Sequence, residues 1–166
     1  MTLNLYYCKH PTMDNKKLQI KKLAEHDLLL FKKLIQLFHK VFEMENALTA
    51  NEAYLKTLLP KRSFIVYAAV YENEVVGGLT AYELPMYYSE GSELYIYDIA
   101  VKSEFQRKGV GKQILLSLKE YCRQNGIKEM FVEAHEEDKH AVDFYHSSGG
   151  QAEKVVHFNF LVEGKG

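Results

Sequence analysis

Residues 106–112 read Gln-Arg-Lys-Gly-Val-Gly-Lys, two glycines among three cationic side chains, directly after an apolar run and directly before a helical pattern. The backbone amides of Lys108, Gly109, Val110, Gly111 and Lys112 can converge there on an anion at the positive end of a helix. Gly109 and Gly111 permit close backbone approach or positive φ, while Arg107, Lys108 and Lys112 add charge. A pyrophosphate suits such a corner; the plain alternative is a surface turn with solvated lysines. Two familiar phosphate motifs do not fit. A P-loop would need glycine where Gln106 stands and Ser or Thr where Gln113 follows Lys112, and a dinucleotide fingerprint would need a third glycine where Ile114 stands.

Asp98 is the second residue whose type and place suggest chemistry. It lies in the apolar run Leu94 to Val101 and, on an ideal strand, shares a face with Leu94, Ile96 and Ala100. Burying that carboxylate unpaired would cost several kcal/mol, about the penalty for any desolvated charge. A ligand ammonium would satisfy it, and so would a turn amide. Tyr97 faces the other way on an ideal strand, and only a β-bulge would bring the two side chains together. Glu133, Glu136, Glu137 and Asp138 form an acidic patch that suits a polycation or simply a solvated loop, and Glu83 and Glu93 are weaker acidic candidates. His135, His140 and His146 lack the spacing of a metal helix with a third ligand, so no metal is expected. Cys122 falls on the apolar face of its helix and nothing activates Cys8, which disfavours an acyl-cysteine intermediate.

The elements that must position these residues follow from periodicity. Phe31, Leu34, Ile35, Phe38, Val41 and Phe42 recur at helical spacing after Asp27, a suitable N-cap, and predict a helix over 27–43. A shorter helix is expected over 51–59, before Pro60. Residues 64–71 and 75–84 are β-branched and aromatic runs around Glu72, Asn73 and Glu74, which reads as a hairpin. Residues 94–101 are a central strand, 110–123 a helix stopped by Asn125-Gly126, 130–134 a strand, 139–147 a helix and 155–160 a last alternating strand. The first 17 residues read as an irregular arm with room for a short strand. Strand 94–101, its following helix and strand 130–134 form a crossover unit that should be parallel and right-handed. The expected class is therefore α/β (α+β), a mixed and mostly antiparallel sheet of about six to seven strands with helices on both faces, in one domain spanning 1–166.

Composition sets outer bounds. A chain of 166 residues buries about 70% of its unfolded surface, and the balance of 21 Lys+Arg against 22 Asp+Glu leaves no global field for nucleic acid or an anionic membrane. The apolar runs are too short to span a bilayer. The first residues lack the pattern of a secretory leader, so a reducing cytoplasm is the expected address.

Gln106-Arg107-Lys108-Gly109-Val110-Gly111 resembles the Gln/Arg-x-x-Gly-x-Gly/Ala signature of the GNAT superfamily of acetyl-CoA-dependent N-acetyltransferases. Asp138, Ala141 and Tyr145, followed by Gly149, resemble the family's second signature, Asn/Asp-x-x-Ala-x-x-x-Tyr; Ser148 and Gly150 stand where the family usually carries Leu and Phe. Phe64-Ile65, Val75-Val76-Gly77, Ala81-Tyr82-x-Leu84-Pro85, Tyr95-Ile96-Tyr97-Asp98-x-Ala100-Val101 and Val156-His157-Phe158 look like the gentamicin-modifying aminoglycoside 3-N-acetyltransferases. The resemblance implies a GNAT fold, acetyl-CoA as cosubstrate and a cationic amine as acceptor, an aminoglycoside acetylated at its 3-amine, with antibiotic resistance as the consequence. It also implies a homodimer. The pantetheine arm would pair with Ile99, Ala100 and Val101, and the pyrophosphate would take the turn from Gln106 to Lys112. Asp138 and Ala141 would flank the cofactor, and Tyr145 would supply the thiolate's proton, where the plain alternative is a core aromatic with its hydroxyl satisfied. Asp98, Tyr97 and Glu133 would hold the amine, with Asp98 taking its proton directly or through water. A polyamine acetyltransferase shares much of this pattern, and a non-catalytic acyl-CoA sensor would share the glycine turn.

Overall fold

A computed structural model describes residues 13–44 and 48–162; Cys8 and the first 12 residues of the expected arm lie outside them. The chain divides into two compact units, the first ending at Glu133 and the second beginning at Ala134.

The first unit is built on a five-stranded sheet in the order β1-β2-β3-β4-β5. Its strands are β1 (Leu18–Lys22), β2 (Phe64–Tyr71), β3 (Glu74–Pro85), β4 (Ser92–Val101) and β5 (Ile127–Val132). All neighbours are antiparallel except β4 and β5, which are parallel, as the crossover through helix α3 (Val110–Gln124) requires. The β2–β3 hairpin turns on Glu72 and Asn73, both at positive φ (48° and 69°), and Glu74 already pairs with Tyr71. Two left-handed residues match the twist of the flanking strands. β1 is not evident in the sequence because five residues with only Leu18 and Ile20 apolar give too short an alternation to stand out.

Helix α1 (Leu28–Val41) buries Phe31, Leu34, Leu37 and Phe38, a stripe at helical spacing. Leu34 packs directly over Gly78 of β3, where a Cβ would meet the Leu34 methyls at 2.6 and 2.8 Å and the Tyr67 carbonyl at 2.4 Å, so only glycine fits. α2 (Glu52–Leu58) starts at Asn51, whose side chain accepts from the Tyr54 amide at 2.9 Å. Helix α3 turns Val110, Ile114, Leu115, Leu118 and Cys122 inward. Gly78 faces α1, so by alternation Leu79 and its partner Tyr67 face away from it; Tyr67 feels Tyr121 and Cys122 of α3. Helices therefore cover both faces of the sheet.

Asp27 does not cap α1 through its side chain. Its buried carboxylate turns back to the Ala24 amide (3.1 Å) and to Lys21 Nζ (2.7 Å). Burial alone would raise its pKa, and Lys21, the Ala24 amide and His26 together outweigh that and lower it.

The second unit contains α4 (Lys139–Ser147), closed by the Gly150 amide donating to the Tyr145 carbonyl at 2.9 Å and Gly149 to that of His146 at 3.0 Å. The expected strand over 155–160 is not formed, and residues 151–162 hold no helix or strand. Alternation of His157 and Asn159 with Val156, Phe158 and Phe160 marks only suitability for a strand; a strand exists through a hydrogen-bonded ladder, and these residues form none. Val155, Val156, Phe158, Phe160 and Leu161 are 73–97% exposed. Among the described residues the sheet accordingly has five strands and not six or seven.

Candidate acyl-transfer site

The centre of β4 departs from an ideal strand at one residue. Thr80 pairs with Asp98 and Ala81 with Ile96, so Tyr97 is an extra residue with no opposite number on β3. This bulge reverses the parity of the strand. Asp98 therefore does not share a face with Leu94 and Ile96, as ideal alternation predicts; its cross-strand partner Thr80 places it on the side of Tyr82, together with Tyr95 and Ala100. Tyr97 joins the same side, with its ring 5.9 Å from Tyr95 and 5.7 Å from Tyr82, both edge to face. The bulge thus brings together two residues that regular alternation would separate.

Asp98 is partly buried, and its Oδ2 accepts from the Thr80 hydroxyl at 3.1 Å. Among the described residues it has no ion-pair partner. Burial raises its pKa above the ordinary carboxylate value, and the Thr80 hydrogen bond pulls part of the way back. Thr80, only 6% exposed, does not stand out in the sequence: its place opposite Asp98 depends on the bulge, which leaves no mark in composition. Glu133 accepts from the Tyr95 hydroxyl at 3.4 Å, which links it to the same face. Glu83 instead accepts from Ser92 (2.6 Å) and Glu93 from Tyr88 (2.9 Å).

Beyond the bulge, among the described residues, β4 has a strand on one side only. The parallel register with β5 ends at Ile96 opposite Val132, whereas pairing with β3 continues to Val101 opposite Gly77. The Lys102 amide donates to the Val76 carbonyl at 2.9 Å, so alternation turns the N–H and C=O of Val101 and Ile99 toward the open edge and those of Ala100 toward β3. Of the three residues expected to meet a pantetheine, Ile99 and Val101 present main-chain groups for it. The Val101 carbonyl already accepts from Gln106 Nε2 at 3.0 Å, which gives Gln106 the role of tying the turn to the strand end.

The turn itself runs into α3. Arg107 (φ 57°) and Gly109 (φ 84°) are both left-handed, and Gly109 occupies the N-cap position with no side chain to cap the helix. The Gln113 amide is bonded to the Gly109 carbonyl at 3.0 Å; helix geometry leaves the amides of Val110, Gly111 and Lys112 without intrahelical acceptors. Lys108 Nζ lies 5.6 Å from the Phe105 ring centroid, and the Lys112 side chain is exposed. Uncapped amides beside cationic side chains suit linked phosphates. A surface concavity lined by Tyr67, Leu116, Ser117, Glu120, Tyr121 and Gln124 includes none of these residues.

In the second unit Asp138 is the N-cap of α4, its Oδ1 accepting from the Ala141 amide at 3.0 Å, so its carboxylate is engaged in starting the helix. Tyr145 follows Ala141 by one helical turn, and burial, reinforced by Asp138, pushes its hydroxyl up to about 12. It stays a phenol at neutral pH. Glu136 and Glu137 are exposed. Among the described residues no three His, Cys, Asp or Glu side chains gather as for a metal, and no helix is long and apolar enough to cross a membrane.

A mixed sheet with a bulged strand, an open edge beside it and a glycine turn feeding a helix suits a ligand that adds a strand and carries linked phosphates. Residues 31–149 match the Acetyltransferase (GNAT) family, and the chain belongs to it. It is an acyltransferase. An aminoglycoside acetyltransferase, meta-AAC0020 from an uncultured soil metagenomic sample, is similar in structure with a TM-score of 0.88; in complexes with trehalose and with sisomicin it is 42% and 41% identical over 90% of this chain and 99% of its own. A second from uncultured soil, HMB0005, is 35% identical over 88% of this chain and 99% of its own, with a TM-score of 0.83. An uncharacterized N-acetyltransferase, YhfO of Bacillus subtilis (strain 168), is 24% identical over 89% of this chain and its own full length.

Proposed function

We propose that this enzyme transfers the acetyl group of acetyl-CoA to the 3-amino group of an aminoglycoside, by direct attack in a ternary complex. The observation that carries the acceptor assignment is Asp98: a partly buried carboxylate with a neutral donor on one oxygen and no cation from the described protein. A ligand ammonium is its natural complement. The soil acetyltransferase that resembles this chain at 41% identity binds sisomicin, an aminoglycoside, which supports the same class of acceptor here.

The donor is written as substrate. Its linked phosphates fit the uncapped amides after Gly109, with Arg107, Lys108 and Lys112 supplying charge, and its amide-bearing arm fits the open edge at Ile99 and Val101 as an added strand. Asp98 holds the acceptor ammonium and takes one of its protons, directly or through water. The freed nitrogen lone pair attacks the thioester carbon, and a Val101-region amide faces the oxygen that becomes negative. As the carbon–sulfur bond breaks, the sulfur keeps the pair and receives a proton from Tyr145, which burial has kept protonated, and the acylated nitrogen gives up its second proton through water, which returns Tyr145 to the phenol. Tyr97 and Glu133 contact the remaining amino sugar. The same reading has the protein act in the cytoplasm, as a homodimer.

Incubation with acetyl-CoA and gentamicin, sisomicin, spermidine or a peptide amine, followed by thiol release and product mass, tests this. Acetylated aminoglycoside is expected, with the modified nitrogen located by NMR. Turnover of spermidine or peptide alone would reject the acceptor, and acetylation at another amine would reject the regiochemistry.

A further inference from the structure

The face that carries Asp98 also carries a chain of aromatic rings that the acyl-transfer chemistry does not require. At one end Phe31 and Phe64, 3% and 7% exposed, lie 5.8 Å apart in the core beneath α1. Phe64 meets Tyr82 at 5.1 Å, Tyr82 meets Tyr97 at 5.7 Å, Tyr97 meets Tyr95 at 5.9 Å, and Tyr95 stacks on Phe131 of β5 at 5.1 Å with 26° between the planes. Exposure rises from the buried pair to 37% at Tyr82 and 62% at Tyr97, and falls again through the half-buried Tyr95 to 38% at Phe131. The most exposed ring, Tyr97, is thus braced on both sides by less exposed ones. Rings fixed in advance lose little side-chain freedom when something packs on them.

Rings left in water beside acids are informative about the occupant. The electron-rich faces of Tyr82, Tyr95 and Tyr97 attract ammonium groups and pack against the flat C–H faces of a sugar. Asp98 and Glu133 flank them, the latter through the Tyr95 hydroxyl at 3.4 Å. A linear polyamine can satisfy carboxylates but has no face to lay on a wall of rings. A polyamino sugar has both charge and face.

We infer that Tyr95, Tyr97 and Phe131 form a wall against which a sugar ring of the acceptor packs, making these rings the determinants that favour a polyamino sugar over a linear polyamine. This rests on the aminoglycoside reading above. The rings position the acceptor and take no part in proton transfer. Truncating them therefore acts on binding and leaves the chemistry at Asp98 unchanged.

The test uses the full chain with gentamicin as ring substrate and spermidine as linear comparator. In Tyr97→Ala, and in Phe131→Leu, KM for gentamicin is expected to rise about tenfold (~1.4 kcal/mol), with kcat and the KM for acetyl-CoA nearly unchanged and the KM for any spermidine turnover raised much less. Tyr95→Phe keeps the stack and should keep most of the gentamicin affinity, which separates the ring from its hydroxyl. Melting temperature and acetyl-CoA affinity identify a variant damaged in folding, and the exposed Tyr97 is the site least open to that fault. Wild type that acetylates no aminoglycoside rejects the functional reading and the wall with it. Wild type that acetylates gentamicin, with Tyr97→Ala and Phe131→Leu retaining its KM, overturns the wall alone, as would equal losses for gentamicin and spermidine.

Discussion

The two halves of β4 obey different rules. From Ser92 to Ile96 the strand is paired on both sides, by β3 and by β5, and Leu94 and Ile96 are 0% and 2% exposed. From Asp98 to Val101 it is paired, among the described residues, by β3 alone, and a carboxylate stands on the face that the bulge has turned toward the tyrosines. The first half commits its hydrogen-bonding groups to structure. The second withholds one edge and one charge, which is what a ligand that adds a strand and an ammonium would complete. A single extra residue, Tyr97, separates scaffold from site.

That division gives opposite expectations for substitutions two residues apart. Ile96→Ala removes a fully packed side chain from the scaffold half and should lower unfolding free energy by about 3 kcal/mol, measured by denaturant titration, with kcat/KM at 25 °C little changed. Asp98→Asn, in the other half, should lower kcat/KM for gentamicin about a hundredfold while acetyl-CoA affinity, read by calorimetry, stays within about twofold. Its melting temperature should hold or rise. Burial raises the folded pKa of Asp98 above its unfolded value, so this carboxyl favours folding below the unfolded pKa and loses that contribution as pH rises through the folded one. At neutral pH the neutral amide is the less costly occupant. Undiminished turnover in Asp98→Asn would erase the distinction between the halves.

How much of this was legible in the sequence depends on whether a feature is local. Helices α1 and α3 were readable because their buried residues recur every third or fourth place, and the glycine turn because its residue types carry their own geometry. Asp98 was visible as a charge in an apolar run. Its surroundings were not: the face it shares depends on the register with β3, and a one-residue bulge moves every later side chain to the other side. Thr80 and the rings of Tyr82, Tyr95 and Phe131 were hidden for the same reason, since they become neighbours only across strands. Residues 155–160 show the converse error, a pattern that permits a strand without a ladder that makes one. Asp27 looked like a cap by position, and Lys21, six residues earlier and across a turn, claimed its carboxylate.

The open half continues into the turn before α3, and the two ends of that helix provide a matched pair. Gly109 (φ 84°) and Gly126 (φ 71°) are both left-handed, and a Cβ at either would meet nothing within 4 Å. Alanine at each therefore costs only conformational strain, about 1 kcal/mol. Stability should fall equally in both. Only Gly109→Ala should also weaken acetyl-CoA, about fivefold (~1 kcal/mol), because only that end presents uncapped amides. Equal affinities in the two variants would remove the phosphates from this turn.

The smallest expected effect tests the bulge most directly. Thr80 donates to Asp98 only because the extra residue sets them opposite each other, and that hydrogen bond lowers a pKa that burial has raised. Thr80→Val keeps shape and burial but removes the donor, so the pKa of Asp98 should rise further. If the ionised carboxylate is the active form, the acid-side decline of kcat/KM moves to higher pH while the plateau at alkaline pH is retained. Tyr82 and Tyr95 face the same carboxylate from β3 and β4, and burial raises both phenols above their ordinary range, so neither titrates in this window. Thr80→Ser restores a hydroxyl and should restore the wild-type profile. A profile unmoved by valine would mean that the rate does not depend on Asp98 losing its proton, and would leave that residue a role in holding the amine alone.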